Sequence, residues 1–220
     1  DGTQVLAESI WVSHDHHTVE LAPAVTDAFK KCGLSAADLG ALAVATGPGS
    51  FTGLRIGMAL AKGIALAQHI PLVGIPSLDI LAASQPPADL PLVALLRTGR
   101  GRLAAGWYLC NKEKEEPWQP ASQVEVLTPQ ELVQRIRIPT LVCGELTTEE
   151  RQLLERKHKS GDLNRNVVLA SPAQCLRRPA YLAELAWKRW QSGQIDDPAS
   201  IAPTYLHYTS GKETSEAIPG

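Results

Sequence analysis

One stretch constrains this chain more than any other: Ala45 to Gly57, reading ATGPGSFTGLRIG. It follows an apolar run, Ala41-Leu-Ala-Val-Ala-Thr46, with the length and β-branched content of a buried strand. It leads into Phe51 to His69, which reads as a helix. A strand, a tight turn and a helix start together bring backbone N–H groups towards an anion. Gly47, Pro48, Gly49 and Gly53 put three glycines and a proline within seven residues, a composition that suits positive φ or close backbone approach.

The helix is unusual on propensity alone. Gly53, Gly57 and Gly63 each cost about 1 kcal/mol relative to alanine in a helix interior. Gly53, Gly57 and Ala61 fall at i, i+4 and i+8, and Ala59, Gly63 and Ala67 make a second row. Small rows let a helix or a strand approach closely, so a packing surface is expected here. The surface is either this protein's own sheet or another chain.

The run GPGSFTGLRIGMALAKGIAL, followed by Ile70-Pro71-Leu72-Val73-Gly74-Ile75 and Ser77-Leu78, closely resembles the bacterial TsaB (YeaZ) family. That family is the non-catalytic relative of the TsaD (Gcp, peptidase M22 glycoprotease-like) proteins. The dense match spans Leu39 to Leu81, with weaker resemblance over His17 to Leu34 and Tyr181 to Leu206. The resemblance implies an α/β, actin-like/Hsp70-like ATPase fold of two ribonuclease H-like halves, and a role in threonylcarbamoylation of tRNA adenosine. Three departures stand out. Proteins resembling this one begin with another strand, whereas here Asp1-Gly2 would be the hairpin turn and the residues to Val12 the returning strand, so the first strand is expected either upstream of this start, or removed by trimming, or replaced by another way of completing the sheet. The HxxxH pair that binds metal in TsaD is replaced by Ser77 and Leu81, neither of which supplies an imidazole. An Asp-Ala-Arg sequence common in the family is replaced by Arg97-Thr98-Gly99.

A net charge of −2 with pI near 6.3 gives no basic face, so direct strong nucleic-acid binding is not expected. Cys32, Cys110, Cys143 and Cys175 are scattered without a CxxC pair, which fits a reducing compartment. Arg55 and Lys62 interrupt the longest apolar run, and no leader is visible, so no membrane role and a cytoplasmic location are expected. Ser13-His14-Asp15-His16-His17 lacks Cys or Glu partners at ligand spacing and reads poorly as a metal site.

Helices are expected over Thr18–Lys31, with Gly33 as its stop, over Leu78–Ala83, from the Thr128/Glu131 capping box, from Thr147/Thr148 to Lys159, and over Ala173–Ser192. Pro23 fits its helix within the first turn or as a kink. Strands are expected over Leu72–Ile75, Leu92–Leu96, Leu103–Cys110, Val124–Leu127, Thr140–Cys143 and Val167–Ala170. Asn111 to Gln119 reads as an exposed loop. The proline-rich Gln85–Pro91 reads as a linker between halves 1–88 and 89–207, before a disordered tail at 208–220.

The expected function is a scaffold or activator for a TsaD-like catalytic subunit, with a TsaE-like ATPase in the complex and a homodimer when alone. The expected partner face comprises Gly53, Leu54, Ile56, Gly57, Leu60, Ala61 and Ile64, with Leu21 and Val25 beside it. Gly49, Ser50 and Thr52 are candidates for phosphate, with ATP or ADP at the partner interface as the associated cofactor. No cofactor is required by this reading, and no catalytic or metal residue is assigned. The alternatives are an independent M22-like enzyme or ATPase, and a homodimeric binding module. No HExxH, GxxxxGK[ST] or HxxxH is present to favour the enzyme.

Overall fold

The apolar runs on either side of the glycine-rich helix become two strands, β1 (Leu42–Gly47) and β2 (Leu72–Pro76). They pair in parallel, Leu42 opposite Leu72 and Ala45 opposite Ile75. Parallel pairing needs a crossover, and α2 (Phe51–Gln68) supplies it. The computed structural model describes residues 2–11, 13, 17–159 and 167–206. Leu54, Met58, Ala61 and Ala65, three or four residues apart, turn one stripe of α2 onto the sheet, where Met58, Ala61 and Ala65 pack with Val44 and Leu72. Against α2 lies α1 (His17–Cys32). Gly33 follows it at φ +66°, and the Leu34 N–H donates to the Phe29 carbonyl at 3.0 Å, the left-handed stop expected of that glycine. Pro23 sits inside α1, beyond its first turn.

The second sheet is built on a run that is apolar on both faces. β3 (Leu92–Arg97) and β4 (Leu103–Cys110) form a hairpin, and β7 (Thr140–Gly144) and β8 (Val167–Leu169) add in parallel on the other side of β3. β5 (Trp118–Pro120) and β6 (Glu125–Leu127) both pair with β4. Leu92, Ala94 and Leu96 face α3 (Ser77–Ala83), meeting Leu78 and Leu81. Val93 and Leu95 face the other way, onto Leu132 of α4 (Pro129–Arg135) and Leu154 of α5 (Thr148–Lys159). Both of these helices start on capping boxes, Thr128 with Glu131 and Thr147 with Glu150.

α6 (Pro179–Gln191) crosses back to the first sheet. Leu182, Leu185, Ala186 and Trp190 pack on Ala43, Ala45, Val73 and Ile75, the face opposite α2. The segment after α6 closes both edges of the sheet. Asp196 bridges the outer edge of β2, its N–H donating to the Leu72 carbonyl at 2.9 Å and its carboxylate accepting the Gly74 N–H at 2.8 Å. Arg189 donates to the Gly74 carbonyl beside it. On β1, the Thr204 N–H donates to the Thr46 carbonyl at 2.7 Å.

Three expectations need correction. The strand expected before Val12 is not formed over the described residues 2–11: Glu8 instead reaches the start of α6, where it accepts from Arg178 and from the Ala180 N–H at 3.0 Å, and Trp11 donates to Glu20 of α1 at 3.0 Å. The Arg178 hydrogen bond holds the Glu8 carboxyl below its ordinary range. The helix expected over Ala173–Ser192 is two pieces, a 3-10 turn at Pro172–Cys175 and α6, because Pro179 bars helical backbone at Arg178 and opens the new helix at its first turn. The loop expected over Asn111–Gln119 ends in β5, whose Trp118 is buried and donates its indole N–H to the Gln85 carbonyl at 3.0 Å. Residues 14–16, the His17 side chain and the 208–220 tail lie outside the described residues.

Candidate functional site

The turn between β1 and α2 is shaped by what touches it. A Cβ on Gly47, at φ +109°, would stand 2.8 Å from the Thr204 carbonyl oxygen, so both the backbone angle and the close approach require glycine. Ser50 caps α2: its Oγ accepts the Gly53 N–H at 3.2 Å and its carbonyl accepts the Leu54 N–H at 2.9 Å. Gly49 faces the second half of the chain, where a Cβ would lie 3.6 Å from Nη1 of Arg177. Arg177 is already held by Glu145 at 2.8 Å, and Glu145 also accepts the Arg97 backbone N–H at 3.1 Å. Arg97 in turn donates to Glu150 at 2.8 Å. Gly49, Ser50 and Thr52 are therefore together at the start of α2. One hydroxyl is engaged as a cap, and the cation beside Gly49, Arg177, is paired.

Beside the turn, the Phe51 and Tyr205 rings stack at 5.0 Å, tilted by 35°, with the Arg55 guanidinium 5.0 Å from the Phe51 ring. Both rings are exposed. Sequence reasoning did not pair these residues. Most of the chain separates them, and no periodicity links a helix start to a terminal segment.

The small rows of α2 divide between the two sides of the helix. At Gly57 and Gly63 an added Cβ would meet nothing within 4 Å, so these glycines face open space. Ile56, Leu60 and Ile64 are half-buried around them, as are Leu21 and Val25 on α1, and Leu66 and Val19 are exposed. Gly53 meets only the Ser50 side chain, at 3.4 Å. Leu54 and Ala61 lie elsewhere than expected. Both are 8% exposed and belong to the stripe that packs on the sheet, which removes them from the partner face.

Ser77 and Leu81, the positions where the resemblance implies metal ligands in TsaD, are fully buried on α3, and the Ser77 hydroxyl has no hydrogen-bond partner among the described residues. Among the described residues no group of three His, Cys, Asp or Glu could hold a metal ion. No described helix is long and apolar enough to cross a membrane.

The family profile described as "TsaD: tRNA N6-adenosine threonylcarbamoyltransferase" matches residues 4–134. The chain is 30% identical over 202 residues to the tRNA threonylcarbamoyladenosine biosynthesis protein TsaB of Bacillus subtilis (strain 168), covering 92% of this chain and 84% of that protein. It is 42% identical over 91 residues to the tRNA N6-adenosine threonylcarbamoyltransferase of Streptococcus mutans, covering 40% of this chain and 27% of that one. The solved structure of YeaZ from Pseudomonas aeruginosa superposes with a TM-score of 0.69 at 24% identity, covering 89% of this chain and 87% of that chain.

Proposed function

The chain belongs to the TsaB family of tRNA threonylcarbamoyladenosine biosynthesis proteins and has its actin-like fold, and from that premise we propose that it is a non-catalytic scaffold for a TsaD-like catalytic subunit. The observation that carries this reading is the open face of α2. Gly57 and Gly63 lower helix stability, and among the described residues nothing stands within 4 Å of where a Cβ would lie at either. Ile56, Leu60 and Ile64 run along the middle of that face with Gly57 and Gly63 at its two sides, so a second helix can bury the three apolar side chains while the glycines leave room beside them. Leu21 and Val25 of α1 extend the same surface. The same face serves to pair two copies of the chain when the catalytic subunit is absent. A TsaE-like ATPase completes the complex, which acts in the cytoplasm. The Gly49-Ser50-Thr52 turn borders this face, which puts an ATP or ADP phosphate, where one binds, at the partner interface.

Co-purification of the chain with the TsaD-like protein, with Gly57→Leu as the variant, tests the reading. At Gly57 an added Cβ meets no described atom within 4 Å, and the substitution removes a helical glycine, so the melting temperature of the variant should rise, by the equivalent of about 0.5–1 kcal/mol. The complex should be lost, because the leucine fills the space the partner helix needs. A variant that is stabilised yet still binds would remove α2 from the interface. Absence of any complex, with ATP hydrolysis by the purified chain alone, would return the case to an independent enzyme.

A further inference from the structure

Away from the α1/α2 face, a cavity of about 360 Å³ opens where β2 ends, between α3, α6 and the loop that enters β5. Its volume falls within the range of about 300–1,000 Å³ typical of small-molecule sites. The carboxyl end of a parallel strand is also where open α/β sheets hold their ligands. The walls are largely apolar, with Ile75, Pro76, Trp118 and Leu185 among them. The Trp118 indole N–H is fixed on the Gln85 carbonyl, so that ring is held in place.

The charges in the cavity are unequal in a specific way. Four carboxylates line it, Asp79, Glu115, Glu116 and Glu184, against two cations, Lys188 and Arg189. Both cations are engaged: Lys188 stands 3.5 Å from Glu115 and 3.6 Å from Glu184, while Arg189 donates to the Gly74 carbonyl and lies 3.6 Å from Asp196. Asp79 and Glu116 have no cationic partner among the described residues. Asp79 accepts one hydrogen bond, from the Tyr108 hydroxyl at 2.6 Å. Burial raises the Asp79 carboxyl above the ordinary carboxylate range, against the lowering pull of the Tyr108 hydrogen bond and with the Glu116 charge adding to the rise. An anion entering here would meet like charge, and a neutral apolar molecule would desolvate Asp79 further without compensation.

We propose that this cavity binds a small alkylamine, its ammonium against Asp79 and Glu116 and its aliphatic body along Ile75 and Trp118. The site needs no second chain, so it stands or falls separately from the scaffold reading.

Calorimetric titration of the full chain with cadaverine and with spermidine tests this, with pentanediol as the uncharged analogue and glutarate as the anionic one. The expected result is saturable one-to-one binding of an amine, with a change in tryptophan fluorescence and no binding of the diol or the diacid. Asp79→Asn should weaken amine binding about tenfold or more, because the ammonium loses its charged partner. Glu116→Gln should weaken it several-fold, and Ala83→Phe should abolish it by filling the cavity. Thermal melting checks that each variant is folded; if Asp79→Asn is not, the other two decide. No saturable binding at millimolar amine, equal binding of the diol, or unchanged affinity in the folded variants would each overturn the proposal.

Discussion

Asp79 holds its proton more tightly in the folded chain than in the unfolded one, because burial removes water that the single Tyr108 hydrogen bond only partly replaces. The folded state therefore binds more protons at every pH between the unfolded carboxyl value, about 3.9, and the raised folded one. Stability from this residue is present at the acid end of that window and is lost as pH rises through the folded value. Asp79→Asn should then raise the melting temperature at neutral pH, and the gain should shrink as acidification protonates Asp79 in the parent. Melting curves of the two proteins across pH check this, and a constant difference would show that Asp79 is not destabilised by burial. Nothing in the sequence singles out Asp79. Its environment comes from Tyr108 and Glu116, residues of another strand and another loop. Gly47 is the opposite case: the Gly-Pro-Gly composition announces a position that no side chain fits, although only the structure shows Thr204 standing against it.

At the scale of elements, local chemistry was largely readable, because starts and stops depend on neighbours in sequence. The Thr128 box is an example: its hydroxyl accepts the Glu131 N–H at 3.2 Å, while the Glu131 carboxylate accepts the Thr128 N–H at 2.7 Å and the Thr128 hydroxyl at 2.9 Å, and these two bonds hold that carboxyl below the ordinary range. Thr128→Ala should cost about 1 kcal/mol, visible as a lower urea midpoint with unchanged slope. An unchanged midpoint would mean that packing of Leu132 and Val133 fixes α4 without its cap. One misreading was local, since Pro179 divides the helix expected over Ala173–Ser192, and others occurred where a distant contact decided the outcome. Trp118 looked like part of a charged loop until the Gln85 carbonyl and β4 gave it partners. The apolar stripe of α2 and its open glycine face share one helix, and period alone could not say which of Leu54 and Ile56 meets the sheet.

At the scale of the whole molecule, the segment expected as a linker, Gln85–Pro91, begins at a buried residue, Gln85, tied to Leu81, Gln174 and Trp118. The face of the first sheet that carries Val73 and Ile75 is covered by α6, and the edges of that sheet are closed by Asp196 and Thr204. A fragment of residues 1–91 should therefore show no cooperative thermal transition alone and should gain one when co-expressed with residues 92–220. A cooperative melt of the isolated fragment would show that α6 is dispensable to the first sheet. The same clasp bears on the order of events at the ribosome. Ile75 is polymerised long before Ala186, and at about 5–20 residues per second the interval between them is roughly 5–20 s. The half of the molecule that is translated first is thus completed last, and a pause late in translation prolongs the time its apolar sheet face stays open to other nascent chains.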